Sequence, residues 1–375
     1  MLKESAVILD IGSSEVTALI GERGVNNTFL VRVSCEIPYD GFAEGEFFDE
    51  QNFKQAVREA IGYISNGFRK NVKKLYVGVP GAFTRIEDRK YKIAFNKKKK
   101  INSKDINELF DYGGEMINIP NYKIINRSAI YYALDNNRKI RSPEGKYSSM
   151  LGGYLSYALL DNYFSEKTGD ILNSLGIRDT IYVSESIAEV KYLLKKEERE
   201  NFVILCDIGY ITTTVSVILG DGVLSSESYD FGGGYISAAL MKKFGAEFTY
   251  AEELKKKINL SCGDATSAVY KVEIKSEVKE YPAGETNLTA TEALDTLAES
   301  LDKFITQSKF NITDSTKLYI TGGGVSYMRG AAEHLAGRLG LSTEIIAPDI
   351  PDCGKPEKSS VYSLLNYALK ENKNE

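Results

Sequence analysis

The sequence predicts an α/β protein: two similar domains facing each other across a cleft, with a small α+β module inserted in the first. Three observations carry this reading. The stretch AVILDIGSSEVTALIG (6–21) is written a second time as VILCDIGYITTTVSVILGDG (203–222). Each copy is an apolar run, then Asp-Ile-Gly, then small hydroxyl residues, then a second apolar run ending in Gly. A third glycine signal, Gly322-Gly323-Gly324, follows the apolar LYI. The chain's 375 residues also exceed one core, since domains of roughly 100–200 residues give two to four folded units.

The elements follow in order. Ala6–Leu9 is a short strand, and Val16–Ile20 is its partner after a Gly-Ser-Ser turn. From Asn52 to Lys70 the apolar residues Phe53, Ala56, Val57, Ala60, Ile61, Ile64 and Phe68 fall at helical spacing. KKLYVGVPGAF (73–83) is a strand leading into a turn. Residues 84–165 change character, with the run Lys97–Lys100 and many Tyr and Asn. A helix starts there at NSKDINELF, with Ser103 as its cap. The lysine run reads as a solvated turn, or as a basic docking site. A Leu- and Lys-rich helix follows at Ala188–Arg199, then the second Asp-Ile-Gly hairpin. Phe244–Leu260 reads as one amphipathic helix. Leu294, Leu297, Leu301, Phe304 and Ile305 share one face of another. LYITGGGVSYMRG is a strand, a glycine turn and a helix start, and the tail after Glu357 is a final helix.

Composition excludes several classes. Net charge is −5, so no global basic field draws nucleic acid. Cys35, Cys206, Cys262 and Cys353 lie far apart without a CxxC, against a disulfide framework or zinc site. His334 is the single histidine, which disfavours His-dependent triads. No apolar run approaches the roughly 20 residues of a membrane span, and neither a Walker A loop nor GxGxxG occurs.

An Asp-x-Gly at the end of a buried strand aims a fixed carboxylate into whatever lies beyond. Its glycine admits a ligand close to the backbone, and the following hydroxyls and N–H groups make an anion pocket. Either copy alone also reads as an ordinary hairpin turn, and the glycine triplet as a flexible one. Two copies in facing domains would grip a polyphosphate from both sides. Asp10 and Asp207 would then converge and need a cation, for which Mg²⁺ held through waters is the usual choice. Gly322–Gly324, before a helix N-terminus, would admit a sugar and α-phosphate.

These residues resemble the actin/Hsp70/sugar-kinase ATPase superfamily and, within it, the FtsA type, with PilM as the nearest alternative. ILDIGSSEVTALIGE looks like the first phosphate loop, LCDIGYITTTVSV like the second, SESIAEV (184–190) like the first connecting helix, AEELK (251–255) like the ribose-contacting Glu-x-x-Lys, and ITGGGVSYMRG like the adenosine loop. The resemblance implies an actin-like ATPase fold of two ribonuclease-H-like domains around a nucleotide cleft. Residues 1–83 and 166–199 would form domain 1A, 84–165 an FtsA-type 1C insert, 200–238 and 311–375 domain 2A, and 239–310 subdomain 2B. ATP and Mg²⁺ are the implied cofactors. Asp10 and Asp207 would hold the metal. Gly12, Ser13 and Ser14 would take the β- and γ-phosphates from one side, and Gly209, Tyr210 and Thr212 from the other. Glu252 and Lys255 would bind the ribose, and Gly322, Gly323 and Gly324 would line the adenosine. Glu185 matches an acidic position that orients water near the γ-phosphate; it also reads as a solvated helix-start carboxylate.

The implied function is an ATP-binding scaffold of cell division that forms protofilaments. Its second domain would bind the FtsZ tail, and its 1C insert other division proteins. It would be cytoplasmic, at the inner face of the membrane at the division site, with direct membrane attachment only through an amphipathic helix beyond Glu375. The alternatives are a PilM-like adaptor for a peptide of a pilus or secretion membrane protein, a small-molecule kinase and a chaperone-like ATPase. The sequence departs from the pattern at Tyr210 and Ile211, which replace two glycines, at Thr214 and Ala239, which replace aspartates, and at Glu15, which replaces a lysine. These changes bear on hydrolysis more than on binding, so slow or no turnover is expected.

Overall fold

The computed structural model describes residues 5–25, 28–68, 72–135, 138–261, 268–350 and 354–374. Cys262, Cys353, Lys70 and Glu375, singled out above, lie outside them. Cys35 and Cys206 are free thiols.

Two five-stranded sheets repeat one plan. The first contains β1 (Ser5–Ile11), β2 (Glu15–Arg23), β3 (Phe29–Pro38), β6 (Lys74–Val79) and β11 (Asp179–Ser184), in the order β11-β6-β1-β2-β3. The second contains β12 (Val203–Ile208), β13 (Thr213–Leu219), β14 (Gly222–Tyr229), β17 (Lys317–Thr321) and β18 (Ser342–Ile345), in the order β14-β13-β12-β17-β18. Read from the opposite end, the second order is the first: an antiparallel meander of three strands, then two parallel strands.

The central strands are apolar on both faces, as strands covered by helices must be. Leu9 and Ile11 of β1 face a core with α1 (Glu50–Phe68), whereas Ala6 and Ile8 face the opposite core. That second face is covered by the final helix, α9 (Ser359–Asn374), through Val361, Leu364, Leu365 and Ala368. Their spacing is that of one helical stripe. The tail was expected with the second domain; it crosses back because the Ala6–Ile8 face is apolar and needs a cover. In the second sheet, Ile204, Cys206 and Ile208 face α5 (Gly233–Phe244), α7 (Ala283–Thr306) and α8 (Ala331–Leu339). Val203 and Leu205 face Ile187 and Val190 of α4 (Glu185–Leu193). Because Ala188 of α4 packs with α9, this helix is shared by both halves.

The insert is a four-stranded sheet, β7 (Thr84–Lys100), β10 (Tyr147–Asp161), β8 (Tyr122–Ala133) and β9 (Lys139–Ile140), in that spatial order. One face is backed by α2 (Ser103–Glu115) through Leu109 and Phe110. Its cap is Asn102, not Ser103: the Asn102 side chain accepts from the N–H of Lys104 and Asp105, and Asp105 accepts from the Asn102 N–H. This reciprocal box outcompetes a serine one position inside the helix. The Lys97–Lys100 run is the end of edge strand β7, not a turn, with Lys99 and Lys100 paired to Ser148 and Tyr147. Lysines on an edge strand also discourage further strand pairing.

Three helix boundaries differ from expectation. α4 begins at Glu185 and ends at Leu193, not Arg199. The predicted helix 244–260 is interrupted: α5 ends at Gly245 in the left-handed region (φ 60°), and α6 spans Phe248–Lys257. Only glycine caps a helix this way without strain. The apolar stripe at 294–305 is the second half of the longer α7. The remaining elements are two hairpins, β4–β5 (Phe42–Ala43, Glu46–Phe47) and β15–β16 (Val269–Ile274, Glu277–Pro282), and α3 (Asn162–Ser174), which packs beside α1.

Candidate functional site

The repeated aspartates occupy equivalent positions. Asp10 is the penultimate residue of β1 and pairs with Thr17; Asp207 is the penultimate residue of β12 and pairs with Thr214. Both point past their strand ends and line one cavity of about 240 Å³ between the halves. Gly12, Ser13 and Ser14 line it from the first loop, and Gly209, Tyr210 and Thr212 from the second. Glu185 enters from the start of α4, and Gly322 and Gly323 enter from the turn after β17. The loops also touch directly, for the Ile211 N–H donates to Ser13 Oγ at 3.0 Å. Gly322 has φ 86°, and a Cβ there would overlap Asp207 Oδ1. The site therefore requires glycine at this position for both backbone and space.

Burial dominates the electrostatics. It pushes Asp10 up to about 7, a rise opposed by the hydrogen bond from Ser360 Oγ (2.8 Å) and aided by the nearby Asp207. Burial pushes Asp207 up to about 6. Glu185 is raised well above the usual range by burial and then by Asp10. Asp10 Oδ1 and Glu185 Oε1 are buried without a hydrogen-bond partner, and both border the space over the Cα of Gly78. Orphaned carboxylate oxygens at a polar cavity fit a hard cation. Among the described residues no group of three or more His, Cys, Asp or Glu could hold a metal ion. Asp10 and Asp207 alone would leave most of a Mg²⁺ shell to water.

Three expected site residues do not reach the cavity. A Cβ on Gly324 would overlap Gly209 O and Ile208, and the Gly324 N–H donates to Ile208 O at 2.7 Å. It joins the third turn to the second loop. Glu252 and Lys255, at i and i+3 on α6, pair with each other at 3.0 Å, and Glu252 accepts from Tyr210 OH at 3.2 Å.

Other residues at the cavity carried no sequence signal. The segment before α9 supplies Pro356 and Glu357 to the lining, and the first turn of α9 supplies Ser360. Pro356 O accepts from the Gly322 N–H at 3.2 Å, and Lys358 Nζ lies 2.5 Å from Glu36 Oε1 and 4.0 Å from Glu15 Oε1. This segment thus ties the second half's glycine turn to the first half's strands. The cation beside Glu15 comes from position 358, distant in sequence from the loop. Glu189, one turn along α4 from Glu185, is buried with Oε1 unpartnered, and its acidity is weakened by burial and then by Asp207.

Comparison with known proteins agrees with this architecture. A family model described as type IV pilus assembly protein PilM matches residues 179–351. Cell division protein FtsA of Pseudomonas aeruginosa is 22% identical over 373 residues, covering 96% of this chain and 88% of that protein. FtsA of Bacillus subtilis is 21% identical, covering 98% and 84%. Among solved structures, a PilM–PilN type IV pilus biogenesis complex superposes with a TM-score of 0.63 at 16% identity, covering 97% of this chain and 98% of that one. MreB5 of Spiroplasma citri bound to ADP gives 0.58 at 11% identity, covering 99% and 98%. The chain thus has the actin fold and is similar to FtsA over nearly its whole length and to PilM.

Proposed function

We propose that this actin-fold protein is an ATP-binding scaffold of the bacterial cell-division machinery that holds Mg²⁺-ATP between its two Asp-Ile-Gly loops. The observation that carries the reading is the shared cavity of Asp10 and Asp207, with orphaned oxygens on Asp10 and Glu185. Asp10 and Asp207 would hold the metal through waters, and the metal would neutralise phosphate charge. Ser13, Ser14 and Thr212 offer hydroxyls to phosphate oxygens. The cavity is smaller than the about 300–1,000 Å³ of ligand pockets. Entry therefore requires the loops to part, and the Ser13–Ile211 hydrogen bond is the contact that breaks. Glu185 is the candidate for orienting water; burial and then Asp10 weaken its acidity, which fits slow or absent turnover. MreB5 is also known with AMPPNP bound, which supports nucleotide as the ligand class.

The division role, protofilament formation and a peripheral membrane location rest on the FtsA likeness over nearly the whole chain. Among the described residues no helix is long and apolar enough to cross a membrane. For the FtsZ tail, a groove of about 650 Å³ on the second half supports docking there: Val269, Leu288 and Tyr327 are its apolar floor, and Lys256, Lys257 and Arg329 a basic rim. Other division proteins would meet the insert. The PilM match favours a second reading, an adaptor for a peptide of a membrane partner. One experiment separates them. With Mg²⁺-ATP bound, the scaffold pelets as filaments and binds an FtsZ tail peptide. The adaptor stays monomeric and binds a PilN-type N-terminal peptide instead.

A further inference from the structure

The insert meets the second half at a cavity outside the nucleotide cleft. It holds about 370 Å³, within the about 300–1,000 Å³ of ligand pockets, and Lys139, Arg141, Arg199 and Glu200 line it. The turn between β13 and β14 is packed directly on the insert, for a Cβ on Gly220 would lie 2.2 Å from Ile130 O. Arg199 is only 4% exposed and is tied to that turn. Its Nη1 donates to Gly220 O at 2.9 Å and to Asp221 Oδ1, and its carbonyl accepts from the Gly220 N–H at 2.8 Å. These bonds leave the opposite edge of the guanidinium unused. Nε is buried without a hydrogen-bond partner, and Nη2 donates to none of the described residues. Nε and Nη2 carry parallel N–H groups, the fork that grips a carboxylate or a phosphate with two bonds.

Charge and lining select between the two. Arg199 pairs with Asp221, and Arg141 with Glu200 at 3.0 Å. Lys139 stacks its ammonium 4.6 Å from the Tyr131 ring centroid and has no carboxylate partner among the described residues. One positive charge is therefore left over. Ile130, Ile140 and Leu219 add an apolar floor. A single excess charge above aliphatic side chains suits a monoanion on an aliphatic stem, not a dianion that must shed more water. We propose that this cavity binds an aliphatic carboxylate, gripped by the free edge of Arg199 and drawn in by Lys139, and that its occupant pins the insert to the second half. A small carboxylic acid and the C-terminal residue of a peptide present the same chemistry. The proposal is independent of the nucleotide reading.

The test is a ligand-observed NMR titration of the full chain with hexanoate, N-acetyl-leucine, N-acetyl-leucinamide and inorganic phosphate. At least one of the two acids is expected to bind about tenfold or more tightly than the amide, the worth of one hydrogen bond to a charged partner. Tighter hexanoate supports a small acid as the natural occupant, and tighter N-acetyl-leucine a peptide terminus. Arg199→Lys, which keeps the charge and loses the fork, should weaken the better acid by at least about fivefold. Should that variant unfold, Lys139→Gln at an exposed position should weaken it by about threefold. The proposal is overturned if acid and amide bind alike, if neither binds, or if phosphate binds more tightly than both acids. A folded Arg199→Lys or Lys139→Gln with the parent's affinity overturns it too.

Discussion

Counted from its aspartate, the first loop places Ser13 and Ser14 where the second places Tyr210 and Ile211. The spacing from aspartate to paired threonine is the same in both, Asp10 to Thr17 and Asp207 to Thr214. The duplicated backbone is therefore intact while its filling has diverged. Small hydroxyls in the first loop leave room and supply hydrogen bonds, one of which reaches across to the Ile211 N–H. A bulky ring in the second loop bonds instead to Glu252 of α6. Equivalent geometry thus does not imply equivalent roles: at this position the first loop reaches across to its counterpart, and the second reaches back into its own half.

The halves also differ in what backs them, and breaking that difference has the largest expected effect. Leu365 is fully buried between α9 and the first sheet. Leu365→Ala should destabilise by about 2–5 kcal/mol, measured by denaturant unfolding. A loss below about 0.5 kcal/mol, the range of surface changes, would mean that α9 is not the cover of this sheet. The metal roles come next. Asp10→Ala and Asp207→Ala should each weaken Mg²⁺-ATP binding by at least about tenfold with the fold retained, about 1.4 kcal/mol. Unchanged affinity in either variant breaks the symmetry of the two loops.

A pH series sharpens the comparison. Burial raises Asp10 from 3.8 to about 7 and Asp207 from 3.8 to about 6. Across that window the folded protein keeps protons that the unfolded chain releases, so stability falls as pH rises, and the loss is complete above the folded-state values. Thermal melts between pH 4 and pH 7 should show this decline in metal-free buffer, as an order-of-magnitude window. Asp10→Asn should flatten it more than Asp207→Asn, because the Asp10 shift is larger. An equally steep slope in Asp10→Asn would assign the linkage to other groups. The smallest effect is on the loop-to-loop contact. Ser13→Ala should cost about 1 kcal/mol of stability without ligand, and ease nucleotide entry, read as a faster association rate in stopped flow. A slower rate would show that Ser13 serves the ligand more than the closed state.

Much of this was legible in the residues. Repeated Asp-Ile-Gly runs forecast the paired hairpins because strand, turn and strand are local, and their apolar runs announce burial on both faces. The convergence of Asp10 and Asp207 followed from that duplication, whereas Glu185 was implied only by the family resemblance. What stayed hidden depends on distant packing. Nothing in EKSSVYSLL says that this helix returns to the first sheet, or that Ser360 and Lys358 attend Asp10 and Glu15. The Glu-x-x-Lys of α6 was visible as a motif, but its bond to Tyr210 of the second loop depends on how the two elements pack. Asn102 prevailed over Ser103 because Asp105 completes the reciprocal cap only with the earlier residue.

The segment from Pro356 to Val361 has a consequence for the order of synthesis. The ribosome delivers β1 about 350 residues before the cover for its second face. Until Pro356 and α9 emerge, Ala6, Ile8 and Leu19 stay wet on one side, Asp10 lacks its serine, and the Gly322 N–H lacks its acceptor. The nascent N-terminal half is therefore an unfinished surface in need of shielding, and the crevice acquires its floor only once α9 has been made.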